Sequence, residues 1–81
     1  MAATRQDIER WFDRGLNSED RYMLIVCDTY DHEDYPVYCL NESDARKRME
    51  SPGNMQRVME CYDLRADKKR QLSMNRCWAL K

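Results

Sequence analysis

Glycine and proline are scarce in this chain, since each occurs only twice in 81 residues. With 42% hydrophobic and 36% charged residues, such a composition is typical of a folded domain and excludes a disordered linker. No apolar run approaches the roughly 20 residues that a membrane-spanning helix needs, and the N-terminal segment has no apolar signal region. We therefore expect one domain over residues 1–81, in the cytoplasm and without membrane contact.

Motifs for metal, phosphate or cofactor chemistry are also missing. The cysteines are Cys27, Cys39, Cys61 and Cys77, without a C-x-x-C pair, and His32 is the only histidine. This set argues against a zinc site, and the chain lacks both a P-loop and an EF-hand pattern, so we expect no metal and no cofactor. Cys27 and Cys39 flank a predicted hairpin symmetrically and would face each other across it. A disulfide is one interpretation, but in a reducing cytoplasm we favour two small buried hydrophobic residues.

The charges are divided unevenly along the chain. The net charge of −1 argues against general nucleic-acid binding, because phosphate neutralisation requires an excess of basic residues. Residues 1–45 carry eleven acidic and four basic side chains, net −7, and residues 46–81 carry four acidic and ten basic ones, net +6. A dipolar surface would favour self-association or an anionic ligand, unless folding interleaves the two halves. Because a core of this size supplies only about 3–5 kcal/mol, we expect a homo-oligomer.

The first predicted helix covers residues 5–14. Thr4 and Asp7 have the spacing of a capping box, and the apolar residues that follow lie at helical spacing. Gly15 is a natural C-terminal stop. The sequence therefore predicts a helix that ends just before this glycine.

Two strands are predicted to follow as a hairpin. Residues 21–28 are apolar at both alternating positions, which is typical of a strand buried on both faces and hence central in a sheet. Residues 35–40 form the second strand, in which Pro36 is tolerated only at the start or on an edge. Residues 29–34 then form the hairpin tip.

A short basic helix is predicted after Asn41, with Ala45 and Met49 on one face and Pro52-Gly53 as its end. Residues 55–63 form the third strand. Its alternation sets Val58 and Tyr62 against Met59 and Cys61, and its polar residues, Gln56, Arg57 and Glu60, indicate partial exposure.

The last predicted helix runs from Lys68 to about Met74, capped by Asp67. Residues 75–80 form either a short strand or an arm that docks Trp78 on a neighbour. Because a β-α-β crossover keeps its two strands parallel, the third strand lies beside the first. The fold class is therefore α+β, with topology α-β-β-α-β-α and a three-stranded antiparallel sheet in the order 2-1-3.

The predicted hairpin tip carries the densest set of functional groups. Asp28, Asp31, His32 and Glu33 offer oxygen and nitrogen ligands for a divalent cation, as a metal-dependent enzyme would require. The alternative is a solvated tip whose charges discourage aggregation of the sheet edge, and we favour it. His32 has no nucleophile paired to it by motif, so acid–base catalysis has little support.

Tyrosines and basic residues provide the candidate ligand-binding site. Tyrosine suits both strands and recognition surfaces, and arginine binds phosphate bidentately, although short basic runs on helices are usually solvated faces. The candidates for base stacking and phosphate contact are Tyr30, Tyr35, Arg57, Arg65, Lys68 and Lys69.

Three segments resemble a family of very short phage and prophage proteins of unassigned activity: residues 26–38 (VCDTYDHEDYPVY), 4–13 (TRQDIERWFD) and 54–60 (NMQRVME). The resemblance covers most of the chain and implies a biological setting without catalytic residues. In that setting we expect a non-enzymatic accessory protein that counters host defence, by sequestering a small anionic, nucleotide-like ligand or by blocking a host protein. The alternatives are the metal-dependent enzyme and a virion assembly component.

Overall fold

The computed structural model describes residues 3–51, 53, 55–74 and 76–80. The elements follow in the predicted order: α1 (Arg5–Leu16), β1 (Tyr22–Asp28), β2 (Glu33–Cys39), α2 (Glu42–Glu50), β3 (Gln56–Asp63) and α3 (Lys68–Leu72). The three strands form one sheet in the order β2-β1-β3, and both pairings are antiparallel. The predicted fold class and strand order are confirmed.

β1 lies at the centre of the sheet and is buried on both faces. Its first five residues, from Tyr22 to Val26, have 3% or less of their surface exposed. Met23 and Ile25 face α1, whereas Leu24 and Val26 face α2. Apolar residues at consecutive positions therefore report burial above and below the sheet, as predicted.

One face of the sheet is covered by α1. The predicted capping box is present, because the Thr4 hydroxyl accepts a hydrogen bond from the Asp7 backbone N–H and the Asp7 carboxylate accepts one from the Thr4 N–H. Ile8 and Phe12 then lie on one side of the helix and pack in the same cluster as Tyr62. The Phe12 and Tyr62 rings meet edge to face, with centroids 6.2 Å apart.

The opposite face is covered by α2. Asn41 caps this helix by accepting a hydrogen bond from the Asp44 N–H. Ala45 is fully buried and Met49 partly buried against the sheet, as their shared face predicted. The helix ends with Ser51 as its C-cap; of the predicted terminator, Pro52 lies outside the described residues.

A β-bulge changes the predicted alternation of β3. The register with β1 shifts between Ile25 and Val26, which pair with Glu60 and Val58 and leave Met59 as the additional residue. As a result, Val58 faces α2 while Tyr62 belongs to the cluster beneath α1. The prediction that these two side chains share a face was wrong, because strict alternation does not account for the additional residue of a bulge.

Glu60 is also more buried than predicted, at 7% exposure. Its carboxylate Oε1 accepts hydrogen bonds from Arg5 Nη1 at 3.0 Å, the Tyr62 hydroxyl at 2.7 Å and the Cys77 backbone N–H at 3.1 Å. Arg5 also donates to the backbone carbonyl of Met74. One buried carboxylate therefore joins α1, β3 and the C-terminal segment, and its charge is compensated rather than solvated.

Several predicted boundaries shift. α1 continues through Gly15 to Leu16, and α3 ends at Leu72 rather than Met74. β2 begins at Glu33, two residues earlier than predicted, so the hairpin tip is residues 29–32. The turn is this short because His32 has a positive φ of 58° and its N–H donates to the Asp28 carbonyl, which closes the turn.

Cys27 and Cys39 do not face each other. Cys39 pairs with Tyr22 and Cys27 pairs with Asp34, at opposite ends of the hairpin, and all four cysteines are thiols. Their symmetry about Glu33 was misleading because Asp28 pairs with Glu33, so the turn is centred between Tyr30 and Asp31. In the part of the chain that the structure describes, no helix is long and apolar enough to span a membrane.

Gly15 provides a test of the packing between α1 and the sheet. A Cβ there would lie 2.8 Å from the Tyr38 ring and 2.9 Å from Leu64 Cδ1. The ring is held by a hydrogen bond from the Tyr38 hydroxyl to the Trp11 carbonyl, and Leu64 is buried. We expect Gly15→Ala to lower the free energy of unfolding by about 1–3 kcal/mol despite alanine's higher helix propensity.

Urea unfolding measures this change, and Arg14→Ala on the exposed side of α1 is the control, expected within about 0.5 kcal/mol of wild type. A stabilised Gly15→Ala variant would contradict the close approach.

Candidate functional site

Three of the predicted ligand-binding residues lie toward the hairpin end of the sheet but do not share a face. Tyr30 is on the tip and 73% exposed. Tyr35 packs on the α2 face with Val26, its partner in β1. Arg57 is exposed and pairs with Cys27, whose position is one residue further along β1 and hence on the opposite face. Tyr35 and Arg57 are therefore separated by the sheet.

The other three candidates lie at the far end of β3. Arg65 follows that strand, and Lys68 and Lys69 begin α3, about 20 Å from Arg57 along the strand. Lys68 Nζ donates to the Asp13 carboxylate at 3.0 Å, and this bond raises the lysine pKa. Ion pairs such as this one join the acidic and basic halves of the sequence. The six predicted residues thus form no single patch, and their role in binding stays a prediction.

Hydrogen bonds from the backbone N–H groups of the hairpin tip hold it in place. Asp28 Oδ1 accepts from the Tyr30 N–H at 2.8 Å, so this carboxylate stabilises the turn. The Thr29 N–H donates to the Met55 carbonyl, which joins the tip to the start of β3. Among the described residues, no group of three or more histidine, cysteine, aspartate or glutamate side chains is arranged to hold a metal ion.

A groove of about 510 Å³ lies between β2 and α2. The last residues of β2 and the adjoining Leu40 form one wall. The other wall is a helical face with spacing i, i+3, i+4 and i+7, made of Asp44, Lys47, Arg48 and Ser51. Asp20, just before β1, closes one end.

Arg48 carries an unsatisfied donor in this groove region. Its Nε is buried and bonds to none of the described residues, while Nη2 donates to Gln56 Oε1 at 3.3 Å. A buried donor without an acceptor costs about 1–3 kcal/mol, more when the group is charged.

The β2 wall presents backbone groups as well as side chains. Pro36 has no N–H, so its pair with Ile25 is one in which the backbone groups point away from the partner strand. The Cys39 carbonyl instead accepts from the Arg21 N–H, and thus faces β1. Alternation directs the N–H and C=O groups of Tyr38 outward, and no other element bonds them within residues 3–51, 53, 55–74 and 76–80.

The opposite edge of the sheet is covered. The Cys61 N–H donates to the Cys77 carbonyl and the Ala79 N–H donates to the Cys61 carbonyl, so the C-terminal segment adds a short parallel bridge to β3. Leu80 is buried against the α2 face of the sheet, and Trp78 is 36% exposed. Of the two predicted roles for this segment, the bridge is present, although Asn75 lies outside the described residues.

The cysteines are poorly suited to nucleophilic chemistry. Burial raises the pKa of all four thiols above their ordinary value, and that of Cys61 to about 12. A nucleophilic cysteine needs the opposite shift, because the thiolate is the reactive form. These thiols are neutral packing groups.

Sequence reasoning missed the groove. The general expectation that short basic runs on helices are solvated faces did not single out Lys47 and Arg48, which line the groove. The available signals were the spacing of polar residues along α2 and the edge position that Pro36 indicates. Neither signal gives the distance between the helix and the strand.

The raised thiol pKa of Cys61 predicts a dependence of stability on pH. The folded state holds this proton more tightly than the unfolded state, whose thiol titrates near 9.0. The stabilisation is complete below the unfolded pKa and is lost as the pH rises from about 9 toward 12. We expect Cys61 to contribute a loss of about 2 kcal/mol between pH 8 and pH 10.5.

Urea unfolding at both pH values measures this loss. Cys61→Ala should reduce the pH dependence, whereas Cys27→Ala, at a half-exposed position, should largely retain it. An equal decline in wild type and Cys61→Ala would contradict the assignment.

Comparison of the chain with protein-family models, with curated protein sequences and with solved structures finds no significant match.

Proposed function

We propose that this protein is a non-enzymatic phage accessory protein that counters host defence by binding a host protein in the β2–α2 groove. The setting, in the host cytoplasm, comes from the resemblance to short phage proteins. The observation that supports the binding site is the groove of about 510 Å³ itself, whose walls carry Asp20 and Asp44 together with Lys47 and Arg48. Charged groups of both signs on a concave surface favour association with a partner of complementary charge.

The state of the reactive side chains supports binding over catalysis. The four thiols are held protonated by burial, and the most buried carboxylate, Glu60, has its Oε1 occupied by three donors. His32 lies on an exposed turn, whereas a general base must be positioned against a bound substrate. The groove offers donors, acceptors and charge, which serve recognition.

A small anionic, nucleotide-like ligand is the second candidate. Lys47 and Arg48 line the groove side by side on α2, and a cationic pair of this kind binds phosphate. The carboxylates of Asp20 and Asp44 line the same groove and would repel a ligand of high negative charge. The mixed signs therefore favour a protein segment, which carries both charges, over a nucleotide.

Replacement of the groove cations tests the proposal. The chain is expressed in bacterial strains that each carry one defence system, and plaques of a phage blocked by that system are counted. We expect wild type to restore plaques in at least one strain and Lys47→Met/Arg48→Met to leave the count at the level of empty vector. Arg46→Met is the matched control, because Arg46 pairs with Glu42 on the same helix and does not line the groove.

The same variants separate function from stability. Arg48→Met removes an unsatisfied donor and one long hydrogen bond, so the thermal unfolding midpoint should stay equal or rise, within about 1 kcal/mol in stability. If the double variant restores as many plaques as wild type, the groove is not the binding site. Absence of restoration in every strain would contradict the anti-defence role. If calorimetry detects binding of nucleotides or cyclic dinucleotides to wild type and none to the double variant, the ligand of the groove is the nucleotide-like second candidate rather than a host protein.

A further inference from the structure

We propose that the occupant of the groove is an extended segment of another protein that adds to the edge of β2 and carries one acidic and one basic side chain two residues apart. This inference rests on the proposed function and names the chemistry of the partner. It combines the outward backbone groups of β2 with the order of charges along α2.

The backbone of β2 fixes where a strand can be added. Pro36 offers only its carbonyl on the outer edge, whereas Tyr38 offers both an N–H and a C=O. The groove is lined from Val37 to Leu40, so the paired portion is the C-terminal half of β2. Strand addition satisfies these outward groups by main-chain hydrogen bonds, which give affinity without requiring a particular side chain.

The side chains of α2 supply the specificity. Asp44 lies in the first turn of the helix, and Lys47 and Arg48 lie in its last turn. Asp20 adds a second carboxylate at the end of the groove near Leu40. The groove is therefore acidic at one end and basic toward the middle of β2.

The spacing of these charges sets the motif. Asp44 and Arg48 are four residues apart along the helix, a rise of about 6 Å. In a strand, two residues span nearly the same distance and place their side chains on the same face. An acidic side chain that bonds Arg48 and a basic one that meets Asp44 are thus two residues apart in the bound segment.

A second copy of the chain does not fit this edge. β2 has the sequence EDYPVYC, with two acidic residues and no basic residue to meet Asp20 and Asp44. Pro36 would also remove a donor from the shared ladder, a device that blocks edge-to-edge pairing. The groove therefore does not pair with β2 of a second copy, and a segment of a different protein is the occupant that we propose.

Selected peptides test the inference. Random short peptides displayed on a carrier are enriched on immobilised protein, and the affinities of the synthetic peptides are measured by fluorescence polarisation. We expect the enriched peptides to share acidic and basic residues two positions apart. Arg48→Glu should weaken binding at least about tenfold, and changing the peptide's acidic residue to lysine should restore it.

Backbone pairing is tested separately from charge. N-methylation of successive peptide residues removes one donor at a time, and strand addition predicts that affinity falls at every second position. In amide hydrogen exchange, the Tyr38 N–H should exchange more slowly when the peptide is bound. The Val37 and Cys39 N–H groups are the internal control, since both face β1 and should be slow in both states.

Peptides that bind without this alternation, without slowing of Tyr38, or without the charge pair would overturn the inference, as would the absence of any enriched peptide. If the protein restores plaques but the affinity of N-methylated peptides does not fall at every second position, the proposed function stands and strand addition is rejected. If the affinity falls at every second position but the protein restores no plaques, strand addition stands and the anti-defence role is rejected.

Discussion

The double burial of β1 is the constraint on which the rest of the structure depends. Both edges of this strand are hydrogen-bonded to neighbours and both faces are covered, by α1 on one side and α2 on the other. A small domain cannot leave such an apolar strand at an edge without exposing its core. β2 and β3 are therefore the edge strands, and they differ in which of their outward backbone groups are hydrogen-bonded.

The two edges are treated differently. β3 receives the C-terminal segment, which takes both backbone groups of Cys61 and buries Leu80, while the buried carboxylate of Glu60 anchors the start of that segment through the Cys77 N–H. β2 has Pro36 in place of a covering segment. Proline prevents pairing at one position only, so the residues after it retain outward donors and acceptors. α2 runs beside these residues and turns an open edge into a groove.

Arg48 and Glu60 differ in how a buried charged group is satisfied within the same domain. In the Glu60 cluster, the carboxylate meets a guanidinium, a hydroxyl and a backbone N–H, and the chain itself provides every partner. At Arg48, the buried Nε of the guanidinium bonds to none of the described residues. Folding tolerates this cost at a few positions, and such exceptions are expected at functional or strained sites.

The sequence by itself determined the elements and their order. Two-faced hydrophobicity identified β1 as central, capping residues located the helix starts at Thr4, Asn41 and Asp67, and the crossover rule placed β3 beside β1. These signals are local or follow from chain connectivity. Only the tertiary structure decided the bulge at Met59, the burial of Glu60 and the groove with Arg48, because each depends on the distance between segments far apart in the chain, which periodicity and composition do not contain.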